Sequence, residues 1–429
     1  METIIEPRVL KGFRDFLPDS EIVRRDLIAR IEALFRLYGF VPIDTPALEY
    51  AEILLGKSGG ETEKQIYRFV DHGNRDVALR FDLTVPFARF LAEHLSELDL
   101  PFKRYHIAKV WRGENTQRGR YREFTQCDFD IVGTDSPAAD FEILFVIHHV
   151  LKTIVSKPLD IRINHRGMFN RFLERLSLTE KVVDILRLVD KRAKIGVELV
   201  LDQLIQLVGT SNAKKIIRFI ELKGSFKEIV HAMIDLSGGV CAESDTLLQI
   251  HRFLTDAGIA DSYILDPSIM RGLDYYTGLV YETFLTDLPI IGSICSGGRY
   301  DNLASLYSKE RIAGVGASIG LDRLIAALEA LGSKAPQDGY ARLAIACENV
   351  ESSGAYQALA LKFREQGIAC EVFFDSTKLT KQYIAAEKKG IRFVLIPSES
   401  AETFTIRDLQ TRQNKEGLGL NDILKIVAR

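Results

Sequence analysis

The sequence predicts an α+β protein with more than one domain, and three observations lead to that prediction. The chain has 429 residues, which is too long for one ordinary hydrophobic core. Its first half holds short β-like runs separated by loops and helices in irregular order, a pattern that favours an antiparallel sheet over repeated β-α-β units. Residues 343–397 alternate β-α-β-α-β, which is typical of a small α/β domain with a parallel core.

The elements of the first part follow from periodicity. A helix is predicted to begin at Asp19 or Ser20, because either residue can cap it and apolar residues recur at helical spacing from Ile22 to Phe35. Three β-like runs follow, at 76–81, 104–112 and 123–133. A helical pattern from about 166 to 262 then predicts a helical insertion, after which strands resume at 271–300 and 313–319. Residues 332–339 read as a linker.

Composition excludes several classes of protein. Apolar residues make up 46% of the chain and charged residues 27%, as in ordinary soluble proteins. No apolar run approaches the roughly 18 residues that a membrane span needs, and the acidic start of the chain does not resemble a signal peptide. The five cysteines stand singly, which indicates a reducing compartment and argues against a disulfide framework or a zinc site. We therefore expect a cytoplasmic protein with no membrane association and no protein-held metal.

Charge is unevenly distributed along the chain. The net charge of −3 gives no hint of nucleic acid, yet residues 151–225 hold 15 Lys and Arg against 8 Asp and Glu. Such an excess on helices can steer a polyanion, and it is equally compatible with a solvated helical face.

The first segment whose residues could form a functional site covers residues 104–133, where two β-like runs flank a polar loop. Strand alternation puts an aromatic ring, an amide and two carboxylates on one face of the second run: Phe124, Gln126, Asp128 and Asp130. That face could hold an ammonium group or an imidazole N–H. Four arginines gathered at the hairpin, at 112, 118, 120 and 122, could clamp a triphosphate. The alternative is an exposed basic hairpin with solvated acids.

Four further segments add to this pattern. In the run 79–86, Asp82 and Thr84 are expected on one strand face, where they could receive an amino group, although Asp-x-Thr is more often a turn or cap. Residues 271–278 and 296–303 combine two arginines, three tyrosines and adjacent glycines, which suits a flat, hydrogen-bonding site or, alternatively, a tight turn with core tyrosines. Residues 314–324 predict a small-residue strand leading into a helix whose first turn presents Arg323 to a phosphate.

Taken together, these segments closely resemble the class II aminoacyl-tRNA synthetases, and specifically the histidyl-tRNA synthetase family. Residues 112–133 look like motif 2 of the class, residues 314–324 like motif 3, and residues 41–55, with Pro46, like the dimer-forming motif 1. The segments 271–278 and 296–303 are similar to the two signatures specific to the histidine enzymes. The resemblance covers essentially the whole chain.

The resemblance implies an organisation and an activity. The fold would be an antiparallel-sheet catalytic domain at residues 1–330 with the helical insertion, a linker at 331–340, and an anticodon-binding α/β domain at 341–429. The activity would be ATP-dependent ligation of L-histidine to tRNA(His) through histidyl-adenylate, with release of AMP and diphosphate. Mg²⁺ is expected with ATP, and a homodimer is expected from the family.

Roles for individual residues also come from the resemblance. Arg112 and Arg323 would hold the ATP phosphates, with Phe124 stacked on adenine. Arg271 would contact the carboxylate and the α-phosphate as the catalytic arginine, assisted by Arg112. Seven side chains would hold histidine, namely Asp82, Thr84 and Gln126 at the ammonium and Asp130, Tyr276, Tyr275 and Tyr300 at the imidazole.

Two departures from the family pattern bear on these roles. Many bacterial members have Glu-Gly-Thr where this chain has Asp82-Leu83-Thr84, so the carboxylate is one methylene shorter. The loop that begins at Gly113 lacks a proline often found there, which bears on its contact with tRNA.

Two other interpretations compete with the enzyme. A non-catalytic relative, such as the regulatory subunit of ATP phosphoribosyltransferase, shares the synthetase core, but such relatives generally lack the C-terminal domain and lose active-site arginines. This chain has Arg112, Arg271 and Arg323 and a full α/β tail. A nucleic-acid-binding module using the basic insertion alone would leave the pattern of acids, tyrosines and glycines unexplained.

Overall fold

The structure is a computed structural model that describes residues 4–56, 63–270, 276–302, 304–332, 339–397 and 403–427. The chain divides into two compact units, one formed by residues 1–14 and 28–333 and the other by residues 15–27 and 334–429. No helix within the described ranges is long and apolar enough to cross a bilayer.

An eight-stranded sheet forms the centre of the first unit. Its strands in chain order are β1 Val41–Pro42, β5 Phe102–Trp111, β6 Glu123–Val132, β7 Leu159–His165, β8 Tyr263–Leu265, β9 Leu279–Leu285, β10 Cys295–Tyr300 and β11 Gly314–Gly320. The spatial order is β1-β5-β6-β11-β10-β9-β7-β8. Pairing is antiparallel from β5 to β7 and parallel only at the two edges. The predicted α+β class with an antiparallel sheet is therefore confirmed.

A smaller antiparallel sheet adjoins the start of this unit in the chain. It consists of β2 Leu48–Tyr50, β3 Arg68–Val70 and β4 Asp76–Leu79, in the order β2-β4-β3.

The helices described in the first part of the chain include the predicted first helix, insertion and final helix, and also three helices between residues 51 and 155 that the sequence analysis did not predict. They are α1 Pro18–Leu37, α2 Ala51–Leu55, α3 Thr84–His94, α4 Pro137–Val155, α5 Arg166–Arg175, α6 Val182–Asp190, α7 Arg192–Ile195, α8 Val197–Ile220, α9 Phe226–Ser237, α10 Ala242–Asp256 and α11 Leu321–Ala330. Helix α1 begins one residue before the predicted caps, because proline suits the first helical position. Gly209, with φ of +79°, interrupts α8. The stretch 166–256 is thus helical, in agreement with the sequence pattern.

The core of the first unit lies against one face of β6. Phe129 on that strand packs on Phe35 of α1, with ring centroids 4.7 Å apart, and on Phe40, with centroids 5.8 Å apart. All three rings are almost fully buried. Burial of such rings fixes which face of β6 points inward, because strand side chains alternate.

The second unit contains a five-stranded sheet. Its elements are β12 Leu343–Ile345, α12 Ser353–Arg364, β13 Cys370–Val372, α13 Leu379–Lys388, β14 Phe393–Pro397, β15 Phe404–Asp408, β16 Gln413–Leu418 and α14 Leu420–Val427. The strand order is β13-β12-β14-β15-β16, with the first three strands parallel and the last two antiparallel. The predicted β-α-β-α-β core is present, and an antiparallel hairpin and a final helix extend it.

Candidate active site

Three neighbouring strands build the floor of the site. On β6, Phe124, Gln126, Asp128 and Asp130 share one face, as alternation predicts, while Phe129 points into the core. Asp130 is opposite Gly316 on β11, and Gly316 is opposite Gly298 on β10. Directly opposed residues of antiparallel strands project to the same side of a sheet. The floor therefore carries polar groups on β6 and little side-chain bulk on the two strands beside it.

Glycines on this floor make room for larger side chains. A Cβ at Gly316 would lie 1.9 Å from Oδ1 of Asp130, and one at Gly298 would lie 2.9 Å from Cδ1 of Tyr276. Real Cβ atoms do not approach other atoms this closely, so both positions require glycine. Gly298 and Gly316, which lie opposite each other on neighbouring strands, thus allow the side chains of Tyr276 and Asp130 to approach the sheet closely.

Two adjacent cavities, each of about 130 Å³, open on this floor. The first cavity is lined by Asp82, Thr84, Arg112, Gln126, Asp130, Tyr276, Ser296, Tyr300, Gly316, Ala317 and Ser318. The second cavity is lined by Arg112, Gly119, Phe124, Gln126, Ser293, Ile294, Cys295, Ser296, Ser318, Gly320, Asp322 and Arg323. Arg112, Gln126, Ser296 and Ser318 line both, so the two cavities share a wall.

Asp130 lies at the base of the first cavity between a phenol and a guanidinium. Tyr300 donates its hydroxyl to Oδ1 at 2.6 Å, and Arg104 of β5 lies 2.7 Å from Oδ2 as an ion pair without an aligned hydrogen bond. Burial raises the pKa of Asp130, while the Arg104 charge and the Tyr300 hydroxyl act to lower it. A carboxylate kept between these partners can accept an N–H from a ligand.

Arg104, the ion-pair partner of Asp130, is a residue of the site that the sequence analysis did not identify. Its side chain is completely buried, and its guanidinium stacks 4.0 Å from the ring centroid of Phe87. Arg104 is directly opposite Asp130 in the β5–β6 pairing. Alternation on β5 would have placed Arg104 on the floor, once the register with β6 was known.

Two further buried carboxylates surround this pair. Burial raises the pKa of Asp82 to about 6 and that of Asp128 to about 7. Asp128 accepts a long contact of 3.5 Å from Nε2 of Gln126, and the same amide donates to the Ser318 hydroxyl at 2.7 Å. Asp128 does not line either cavity, so its effect on a ligand is electrostatic.

Asp82 and Thr84 line the first cavity, but the prediction that they share a strand face is wrong. Strand β4 ends at Leu79, and Thr84 is the first residue of α3. Oδ1 of Asp82 accepts the backbone N–H of Val85 at 3.1 Å, so this carboxylate stabilises the start of the helix. Asp82 can therefore both stabilise the start of the helix, which the sequence analysis gave as the alternative, and contact a ligand in the cavity. Its Oδ2 remains available for that contact.

Besides Oδ2 of Asp130, which has only its ion pair with Arg104, two buried oxygen atoms of the first cavity have no hydrogen-bond donor within the described part of the chain. They are Oδ2 of Asp82 and Oε1 of Gln126. An acceptor buried without a partner costs free energy, so this arrangement favours a ligand that brings N–H donors.

The second cavity is lined by two arginines and an aromatic ring. Arg112 donates from Nε to the carbonyl of Phe81 at 2.8 Å, and its guanidinium carbon lies 5.2 Å from the ring centroid of Phe124. Arg323 follows β11 in the first turn of α11, as predicted, and donates to the carbonyl of Ser293. Such fixed cations are suited to phosphate oxygens.

The other arginines of the hairpin do not join this cavity, so the predicted four-arginine clamp is wrong. Arg120 pairs with Glu114 at 3.4 Å, and Arg122 donates to the backbone carbonyl of Glu114 at 3.2 Å. The loop uses these side chains to hold its own shape, and Arg118 is exposed.

The remaining predicted residues divide into two groups. Tyr276 and Tyr300 line the first cavity beside Asp130. Arg271 and Tyr275 lie outside the described residues.

Comparisons with family models, curated proteins and solved structures all find similarity to histidyl-tRNA synthetases. A family model described as histidyl-tRNA synthetase matches residues 12–324, and one described as an anticodon binding domain matches residues 343–429. A histidine–tRNA ligase of Treponema denticola is 54% identical over 92% of this chain and 90% of its own length, and one of Treponema pallidum (strain Nichols) is 52% identical over 96% and 95%. The crystal structure of histidyl-tRNA synthetase from Nostoc sp. PCC 7120 superimposes with a TM-score of 0.86, at 32% identity, covering 99% of this chain and 100% of the other.

Proposed function

The chain belongs to the histidyl-tRNA synthetase family, and we propose that it joins L-histidine to tRNA(His) in two steps at the paired cavities. In the first step, histidine and ATP form histidyl-adenylate and diphosphate. In the second, the histidyl group passes to the terminal ribose of the tRNA, and AMP leaves. The observation that carries this proposal is the shared wall, since Arg112, Gln126, Ser296 and Ser318 line both cavities.

The first cavity takes the amino acid. The ammonium group of histidine supplies the N–H donors that Oδ2 of Asp82 and Oε1 of Gln126 need, with Thr84 beside them. The imidazole extends towards Asp130 and Tyr276, with Tyr275 and Tyr300 in support. A competitor without ring N–H groups would leave the buried Asp130 without that partner, and sites of this kind discriminate strongly.

The second cavity takes ATP. Phe124 offers a flat ring to adenine, and Arg112 and Arg323 offer charge to the phosphates. The histidine carboxylate oxygen attacks the α-phosphorus, the bond to the β-phosphate bridging oxygen breaks, and diphosphate departs. Negative charge builds on the phosphate oxygens in this step, so fixed cations supply the catalysis and no protein nucleophile is needed. We assign Arg112 and Arg271 as the catalytic cations, the latter by family resemblance.

Mg²⁺ accompanies ATP in this proposal and is not held by a protein cage. No group of three or more His, Cys, Asp and Glu among the described residues could hold a metal ion. Of the residues lining the second cavity, Asp322 alone carries a carboxylate, and it is engaged by Arg14 and by the N–H of Thr125. The ion would therefore be bound mainly by phosphate oxygens and water, as Mg²⁺ commonly is.

The domain assignment follows the family. Residues 1–330 form the catalytic domain with the insertion at about 166–262, residues 331–340 the linker, and residues 341–429 the anticodon-binding domain. The compact unit that contains residues 334–429 supports the last boundary. We place the protein in the cytoplasm, where its tRNA substrate is charged.

A homodimer completes the proposal. Val41, Leu48 and Tyr50, in the segment that resembles motif 1, are 45%, 39% and 50% exposed. Exposed apolar side chains of this kind are suited to burial against a second copy. Sedimentation equilibrium should give twice the 48.3 kDa of the chain.

Histidine-dependent ATP–diphosphate exchange tests the first step directly. The purified chain should catalyse exchange with histidine and not with other amino acids, and Arg112→Ala or Arg271→Ala should abolish it while circular dichroism stays unchanged. Absence of exchange in the wild-type chain would refute the proposal. The non-catalytic relative also predicts no exchange, but it is less well supported, since the close relatives are named histidine–tRNA ligases.

A further inference from the structure

The turn-rich lead-in at residues 10–14 packs against the loop 112–122, which borders the second cavity. Gly12 accepts the backbone N–H of Arg122 at 2.8 Å, and a Cβ at Gly12 would lie 2.7 Å from Cγ of Arg122. The φ of Gly12 is +91°, so glycine is required there on two grounds. The absence of a side chain at Gly12 therefore allows the backbone of the lead-in to pack directly against the loop.

Arg14 makes the decisive contacts of this lead-in. Its guanidinium stacks 3.9 Å from the ring centroid of Tyr121, at the end of the loop, and pairs with Oδ1 of Asp322. Arg14 and Asp322 are 308 residues apart in the chain, and the carboxylate is only 4% exposed. A charge pair at a buried carboxylate, with a stacked ring, has a defined geometry that a surface pair lacks.

Asp322 extends this contact to the cavity itself. Its Oδ2 accepts the backbone N–H of Thr125 at 2.7 Å, and Thr125 lies between Phe124 and Gln126 on β6. Asp322 also precedes Arg323 in the first turn of α11. One carboxylate thus joins Arg14, the start of the β6 floor and the helix that presents a phosphate-binding cation.

We propose that Arg14 is a positioning residue for the nucleotide: through Tyr121 and Asp322 it fixes the loop 112–122 and the start of α11, so that Phe124 and Arg323 face ATP. This inference rests on the proposed function. Arg14 lines neither cavity. Its effect should therefore fall on the KM for ATP, with the KM for histidine unchanged, because Asp130 and Tyr300 are held by other partners.

The test compares Arg14→Met with a matched arginine elsewhere. Arg162 pairs with Asp266 at 3.2 Å and stacks 4.9 Å from the ring of Phe284, and it lines neither cavity. In ATP–diphosphate exchange, Arg14→Met should raise the KM for ATP about tenfold, which is the size of a lost charge-assisted hydrogen bond, and Arg162→Met should change neither KM. Arg14→Lys should recover part of the loss, because it keeps the charge beside Asp322 without the planar stack.

Three outcomes would overturn the inference while leaving the proposed function intact: an unchanged KM for ATP in Arg14→Met, an equal rise in both KM values, or an equal effect of Arg162→Met. Wild-type protein without exchange would instead refute the proposed function. If Arg14→Met does not fold, Tyr121→Leu removes the stack alone, and it should raise the KM for ATP by a smaller factor. An unchanged KM in that variant would also count against the inference.

Discussion

Asp130 illustrates how single residues set the chemistry of this site. Its carboxylate is buried at the junction of Tyr300, Arg104 and the first cavity. The Arg104 cation opposes the rise in pKa that burial causes in the Asp130 carboxyl group, and the Tyr300 phenol fixes one of its oxygens. The carboxylate can therefore present its remaining acceptor capacity to an imidazole N–H without rearrangement.

Replacement of Tyr300 by phenylalanine should impair histidine binding selectively. The change removes the 2.6 Å hydrogen bond to Asp130 and leaves the ring in place. We expect the KM for histidine in the exchange reaction to rise about tenfold, with the KM for ATP unchanged. Tyr263→Phe is the matched control, because that buried hydroxyl donates to the carbonyl of Leu144 at 2.7 Å and lines neither cavity. Equal effects of the two substitutions would argue that the Tyr300 hydroxyl serves stability alone.

Asp128 should make the stability of the free protein depend on pH. Its pKa in the folded chain is raised to about 7 from the ordinary value of 3.8, mainly by burial, so the folded state binds a proton that the unfolded state has released. Folding is therefore penalised increasingly as pH rises from about 4 to 7, and the penalty is constant above that range. Asp128→Asn lacks this titration. Its unfolding free energy relative to wild type, measured by urea denaturation, should grow between pH 4 and 7 and then level off.

A flat difference across this pH range would show that Asp128 stays ionised beside Arg104. The neighbouring Asp82 titrates over part of the same range, and it is present in both proteins. The pH dependence of the difference therefore reports Asp128 together with its electrostatic interaction with Asp82.

At the scale of elements, the site depends on the register between β6, β11 and β10. Gly316 lies opposite Asp130 on one side and Gly298 on the other, so the Asp130 side chain has two glycines beside it across the floor. A shift of one residue would send the polar face of β6 into the core and Phe129 into the cavity. The buried rings around Phe129 oppose such a shift.

Gly316→Ala should abolish histidine binding through this register. The added methyl would lie 1.9 Å from Oδ1 of Asp130, so the carboxylate must move away from the imidazole position. We expect histidine-dependent exchange to fall by more than about a hundredfold, as expected when a reacting group is displaced by an ångström. Gly320→Ala, on the same strand, adds a methyl whose nearest neighbour is 3.8 Å away, and it should keep the KM for histidine. Normal exchange in Gly316→Ala would contradict the placement of Asp130.

Individual elements also show which features of the fold and the site could be predicted from the sequence and which could not. Alternation predicted the polar face of β6 because its period of two is fixed by strand geometry. It misplaced Asp82, because so short a run is compatible with either the end of a strand or the start of a helix. In the structure the Asp82 carboxylate accepts the backbone N–H of Val85, and the segment starts a helix. The role of Arg104 depended on its pairing with Asp130 across two strands, which no local pattern encodes. Strand β16 escaped prediction because five of its six residues are exposed and it lacks an apolar period.

At the scale of the whole molecule, the two cavities belong entirely to the first unit. Strands β6, β10 and β11 and helices α3 and α11 all lie within residues 28–333. Adenylate formation is therefore a property of that unit in the proposed function. The second unit, which holds the match to the anticodon-binding family, has its own core on both faces of its sheet. Recognition of the tRNA is the function we assign to it.

The most direct test is a crystal structure of the chain with a non-hydrolysable histidyl-adenylate analogue. The imidazole should contact Asp130 and Tyr276, the ammonium should contact Asp82 and Gln126, and adenine should stack on Phe124 with the phosphate between Arg112 and Arg323. An analogue bound elsewhere, or bound with its imidazole away from Asp130, would contradict the central claim that these two cavities form one site for adenylate synthesis.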